Sequence, residues 1–141
     1  RLYRQRGDEF KQVTKDHSLL QEQIDADMIT LEQAKKSANK NLVTRALGID
    51  PTVEPEIHEY DALPGDIYLL CSDGLCDMVS DEDISMVLQT LGANLQLCVH
   101  QLVQMANDNG GRDNVSVILV RGKKEFKAPR GIAAKLAGWF R

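Results

Sequence analysis

Between Ala46 and Gly111 the chain has no lysine and no arginine, although 12 of its 21 acidic residues fall there. Phosphate backbones are bound through Lys and Arg, so this absence removes nucleic acid as the partner of the middle segment and favours cations. No apolar run approaches the roughly 20 residues of a membrane span, so no transmembrane segment is expected. Cysteine is scarce too. Cys71, Cys76 and Cys98 cannot all pair within the chain, and a domain of this length needs no disulfide staples. A reducing, cytoplasmic setting is the expectation. Cys71, Cys76 and His100 match no common zinc spacing, so the thiols read as core groups. The chain opens on Arg1 rather than Met, and RLYRQRGDEF lacks the apolar core of a signal peptide, so the start reads as cut or processed.

What is present suits one compact domain, or a piece of one: 141 residues, 43% hydrophobic and 27% charged. LYRQR and FKQVT around Gly7, Asp8 and Glu9 predict a hairpin. Ser18 and Thr30 can cap two short polar helices, Thr30 with Gln33 in a box-like arrangement. Val53 to Tyr60 reads as a strand that Pro55 pushes to a sheet edge. Ile67 to Cys71 and Val115 to Val120 are continuous apolar runs, the pattern of buried strands. Between them, Ser80 caps a helix with Ile84, Val87, Leu88 and Leu91 at helical spacing, and Asn94 caps a second with its stripe from Leu95 to Ala106. From Lys123 to Arg130 the chain reads as a basic linker. The end, with Ile132, Leu136, Trp139 and Phe140 on one face, predicts a short amphipathic helix that docks on the domain or contacts a membrane or partner.

Two aspartates border the two most apolar strands. Asp73 follows IYLLC and Asp113 precedes VSVILV, each beside glycine. If the strands are antiparallel neighbours, both carboxylates belong to one edge of the sheet. Hard oxygen donors there suit Mg²⁺ or Mn²⁺. Asp beside Gly is equally a turn residue that hydrogen-bonds its own backbone, and the spacing leaves both readings open.

The segment YDALPGDIYLLCSDGLCDMVSDEDI resembles the signature of the type 2C (PPM) metal-dependent protein serine/threonine phosphatases, a Pro-Gly turn leading into a strand that ends at Ser-Asp-Gly. GGRDNVSVILV resembles its companion element, NLVTRALG a third, and RLYR with VTKDHSL the strand and loop of the bacterial branch. The matches keep the family's order over residues 1–121. The resemblance implies an α+β fold, an antiparallel β-sandwich flanked by helices and incomplete at its N-terminus, with residues 122–141 as linker and tail. It implies Asp73 and Asp113 as metal ligands, Asp77 as a ligand of a further metal, and Asn114 in support. Mn²⁺ or Mg²⁺, two or three ions in a complete domain, would activate water to hydrolyse phosphoserine and phosphothreonine. Residues 18–41 would be the flap beside the site, and the partners phosphorylated proteins, among them Ser/Thr kinases or their substrates.

The chain departs from the family in having no glycine-rich Asp-Gly motif, no phosphate-gripping arginine and no histidine acid. His17, His58 and His100 match no catalytic position; His17 reads as a loop residue. The chain alone is therefore expected to be inactive. Two other readings compete: a non-catalytic phosphatase-like binding module, and a calcium loop through Asp73, Asp77, Asp81 and Asp83. The cap at Ser80 and the absence of the EF-hand's glycine and closing glutamate speak against the calcium loop.

Overall fold

Gly7 takes a left-handed φ of 55°, and this lets β1 (Leu2–Arg6) fold straight back onto β2 (Glu9–Gln12), with Arg6 opposite Glu9. The computed structural model describes residues 1–35, 37, 42–48 and 51–123. The expected tail helix and all but the first residue of the expected linker lie outside them. On its other side β1 pairs with β3 (Ile67–Cys71), which pairs with β4 (Val117–Arg121). Among the described residues the sheet has four antiparallel strands, in the order β2-β1-β3-β4. Antiparallel pairing of the two apolar strands is as expected, and so is the α+β class. The second layer that a sandwich requires is not among the described residues.

Helices α1 (Leu19–Asp25) and α2 (Leu31–Lys35) form the excursion after the hairpin. Ser18 accepts from the Gln21 N–H at 3.2 Å, and Thr30 and Gln33 cap each other, at 2.8 and 3.2 Å. A single turn, α3 (Asp73–Cys76), follows β3, and then come α4 (Asp81–Leu91) and α5 (Leu95–Asp108). The Ser80 and Asn94 side chains cap α4 and α5 as the sequence predicts.

One face of the sheet carries the core. Tyr3, Ile67 and Leu69 pack against Leu75, Val79, Ile84, Leu88, Cys98 and Leu102, each of which is buried. Burial of one such aliphatic side chain contributes about 1.5–3 kcal/mol, so this layer is the main source of stability. On the opposite face Leu70, Ile118 and Val120 remain exposed.

Two expected elements differ. Val53 to Tyr60 forms no strand; Pro55 has no N–H to give to a ladder, and Glu56 instead meets Arg45 at 3.4 Å and His58 at 3.5 Å. Strand β4 starts at Val117 rather than Val115, because both backbone groups of Ser116 are already bonded to Ser72.

At the end of the sheet where β3 begins, Asp66 is buried. Its carboxylate accepts from both Arg6 Nε and Nη2 at 2.7 Å, from the Leu63 N–H at 2.8 Å and from the Tyr68 hydroxyl at 3.2 Å. The Arg6 fork, chief among these, holds the Asp66 carboxyl down at about 2.

Candidate functional site

The site lies at the other end of the sheet, where β3 ends and the chain must turn at once to lay its helices over the core. Ser72 makes the turn. Its N–H donates to the Ser116 carbonyl at 3.1 Å, and its hydroxyl donates to the Asn114 carbonyl and accepts from the Ser116 N–H, both at 3.0 Å. The hydroxyl is thus committed to the segment entering β4 and does not cap α3.

Gly74 explains the rest of the junction. A Cβ at this position would stand 2.4 Å from the Asn114 carbonyl oxygen, so only glycine lets the Asp113–Asn114 backbone lie directly on Asp73–Gly74. Asp73 Oδ1 accepts from the Gly74 N–H at 2.9 Å, and Asp113 Oδ1 accepts from the Asn114 N–H at 2.6 Å. Both aspartates therefore make the local backbone contact of a turn residue, each through one carboxylate oxygen.

Asp77, one helical turn after Asp73, gives its N–H to the Asp73 carbonyl at 2.8 Å. Asp73 and Asp77 line one cavity of about 330 Å³ together with Cys71, Ser72 and Cys76; the facing wall is Arg1, Asp16, His17, Ser18 and Val43. Arg1 grips Asp16 with Nε at 3.0–3.1 Å and Nη2 at 2.7 Å, and its Nη1 reaches the Tyr3 hydroxyl at 3.2 Å. Burial pushes the Tyr3 phenol up. The Cys71 and Cys76 thiols both line this cavity, and their interaction raises Cys71 and lowers Cys76.

The excursion is pinned beside this cavity. Ser18 forms a bridge with Val43, in which the Thr44 N–H donates to the His17 carbonyl and the Leu19 N–H to the Leu42 carbonyl, both at 2.9 Å. Residues 17–19 and 42–44 thus close the base of the flap-like segment on the cavity wall.

Of the residues singled out from sequence, Asp73 and Asp77 meet at one cavity. Asp113 and Asn114 join them through backbone packing on Gly74 and do not line it. His17, read as a loop residue, is on the wall; His58 sits with Glu56, and His100 is exposed on α5. Asp81 and Asp83 belong to the first turn of α4, where Ser80 Oγ bonds the Asp83 carboxylate. Sequence reasoning missed Arg1 and Asp16. Their pairing spans the hairpin, 15 residues apart, and no local pattern in the sequence joins them.

The donors fit a hard divalent cation in type, since the carboxylate residues Asp73 and Asp77 both line the cavity. In number they make only part of a shell: among the described residues no group of three or more His, Cys, Asp or Glu is placed to hold an ion. Among the described residues, too, no helix is long and apolar enough to cross a membrane.

A family model described as Stage II sporulation protein E (SpoIIE) matches residues 24–123. The serine/threonine protein phosphatase PstP of Mycobacterium tuberculosis is 41% identical over 119 residues, which cover 84% of this chain and 23% of PstP. A serine/threonine phosphatase structure from S. agalactiae superposes with a TM-score of 0.81 at 36% identity, over 87% of this chain and 50% of the other. The catalytic domain of PstP in complex with two manganese ions superposes at 0.72 with 41% identity, over 84% of this chain and 47% of that one. The chain thus spans about half, or less, of the proteins it matches.

Proposed function

The chain belongs to the SpoIIE/PPM family of protein phosphatase domains, and from that premise we propose that it forms the C-terminal part of a metal-dependent protein serine/threonine phosphatase domain. The reaction is hydrolysis of phosphoserine and phosphothreonine in proteins, including Ser/Thr kinases or their substrates, in the cytoplasm. One observation carries the reading: the Ser72-Asp73-Gly74 turn is locked against Asp113–Asn114, with Asp73 and Asp77 on a shared polar cavity. Asp73 and Asp113 are assigned as metal ligands, Asp77 as a ligand of a further ion and Asn114 as support. Bound Mn²⁺ or Mg²⁺ would supply a water of lowered pKa and neutralise charge on the phosphate oxygens.

The chain's own residues prepare that chemistry. Gly74 keeps the two aspartate segments in contact, and Ser72 fixes their register through three hydrogen bonds. The Arg1–Asp16 fork braces the cavity wall, and the excursion that starts at α1, held at its base by Ser18 and Val43, is assigned to meet the substrate protein. The incomplete donor set favours a second reading, a phosphatase-like module that binds without catalysis.

One assay separates the two. The whole protein, given Mn²⁺, should hydrolyse a phosphothreonine peptide, and Asp73→Asn should lower turnover by about a hundredfold, the scale of losing one charge-stabilising group. Peptide binding without turnover would favour the binding module.

A further inference from the structure

Two of the three cysteines stand together on the wall of the candidate site. Cys71 is the last residue of β3 and Cys76 the last of α3, so only a single turn of chain separates them. Both side chains line the same cavity. Cys76 Sγ also lies 3.8 Å from the Ser72 carbonyl and 3.6 Å from that of Asp73, which places it over the start of its own turn. Both are half-buried and open to the cavity, whereas Cys98 is fully buried under α4, its Sγ 3.9 Å from the Val87 carbonyl.

We propose that Cys71 and Cys76 are a redox modification site, a dithiol that hydrogen peroxide converts reversibly to an intrachain disulfide. The step breaks two S–H bonds and the peroxide O–O bond, and it forms one S–S bond, two O–H bonds and two molecules of water. The sulfurs give up two electrons in all, and the peroxide oxygens accept them. Thiols on one cavity wall, joined by a single turn, close the link by coming to the disulfide bond length of about 2.05 Å. Dithiothreitol reverses the step by thiol exchange.

The consequence for the site rests on the metal reading above. Asp73 and Asp77 flank the segment that the disulfide would tighten, and the Asp77 N–H is bonded to the Asp73 carbonyl within it. Drawing Cys76 towards Cys71 pulls Asp77 and the α3 turn with it, so the oxidised form presents its carboxylates differently and holds metal less well.

The experiment treats the reduced, purified protein with a slight excess of hydrogen peroxide, blocks free thiols by alkylation and maps the digest by mass spectrometry. The expected product is a Cys71–Cys76 cross-linked peptide, lighter by two hydrogens and abolished by dithiothreitol, with Cys98 alkylated only after unfolding. Cys71→Ser and Cys76→Ser should each prevent it. Free thiols after peroxide, a sulfinic acid in place of the link, or a disulfide through Cys98 would overturn the proposal. Mn²⁺ titration of the two forms reads the coupling: oxidation should weaken binding about tenfold, the lower range for disturbing groups around a ligand. Equal affinities would overturn the coupling. Failure of the reduced form to bind Mn²⁺ would overturn the metal reading, while the cross-link map still decides the thiol pair.

Discussion

The carboxylate of Asp66 accepts four hydrogen bonds in a buried position and lies far below the ordinary carboxyl range, at about 2 against 3.8. A group whose pKa is depressed on folding contributes stability above its unfolded value and loses it as pH falls through the folded one. Its contribution is therefore complete above about pH 4 and disappears towards pH 2. Asp66→Asn should lower stability at neutral pH by about 2 kcal/mol, the scale of charge-assisted hydrogen bonds. Urea denaturation across pH 2–7 checks it, and the gap between variant and parent should narrow below about pH 4. In the sequence, Asp66 is one acid among many, because its partner Arg6 is 60 residues away and no local pattern joins them. Asp73 was legible for the opposite reason: strand, aspartate and glycine are contiguous, so the chemistry and its backbone requirement stand side by side.

Caps and apolar stripes made α4 and α5 readable, since each depends on contacts within a few residues, such as Ser80 with Asp83 and Asn94 with Leu97. The one-turn α3 was not, being too short to have a period. Val53 to Tyr60 misled because Pro55 has no N–H for a ladder and Glu56 is drawn into contacts with Arg45 and His58, which the local pattern does not show. The junction of α3 with the entry to β4 is the element on which the site depends. Gly74→Ala places a methyl 2.4 Å from the Asn114 carbonyl oxygen and forces the two segments apart. The expected loss is about 1–3 kcal/mol from overpacking, read by thermal unfolding. Faster amide exchange at Ser116, whose N–H is held by Ser72 Oγ, should accompany it. Protection unchanged at Ser116 would show that the junction tolerates separation.

At the scale of the molecule, one face of the sheet is packed under helices and the other leaves Leu70, Ile118 and Val120 exposed. The relatives are about twice as long or longer, and we propose that a second sheet covers this face in the whole domain. Ile118, 60% exposed, then discriminates. Ile118→Lys should change the stability of this chain by no more than about 0.5 kcal/mol, as at an ordinary surface position. In the whole protein it should lose several times that, because a charge would be buried there. Equal, small effects in both settings would argue against a covering layer. The sequence could imply this layer only through the family resemblance, for none of the described residues supplies it.

In the reading proposed above, the aspartates at this end of the sheet bind metal and are not turn residues alone. Calorimetric titration of Mn²⁺ into the purified protein, its Asp73→Asn and Asp113→Asn variants, and Asp66→Asn as a control at the far end tests it most directly. Saturable binding is expected, weakened by more than about tenfold in each site variant, since even groups behind a ligand are worth that much, with the control unchanged. Equal Mn²⁺ affinity in parent, Asp73→Asn and Asp113→Asn would contradict it and leave both aspartates as turn residues.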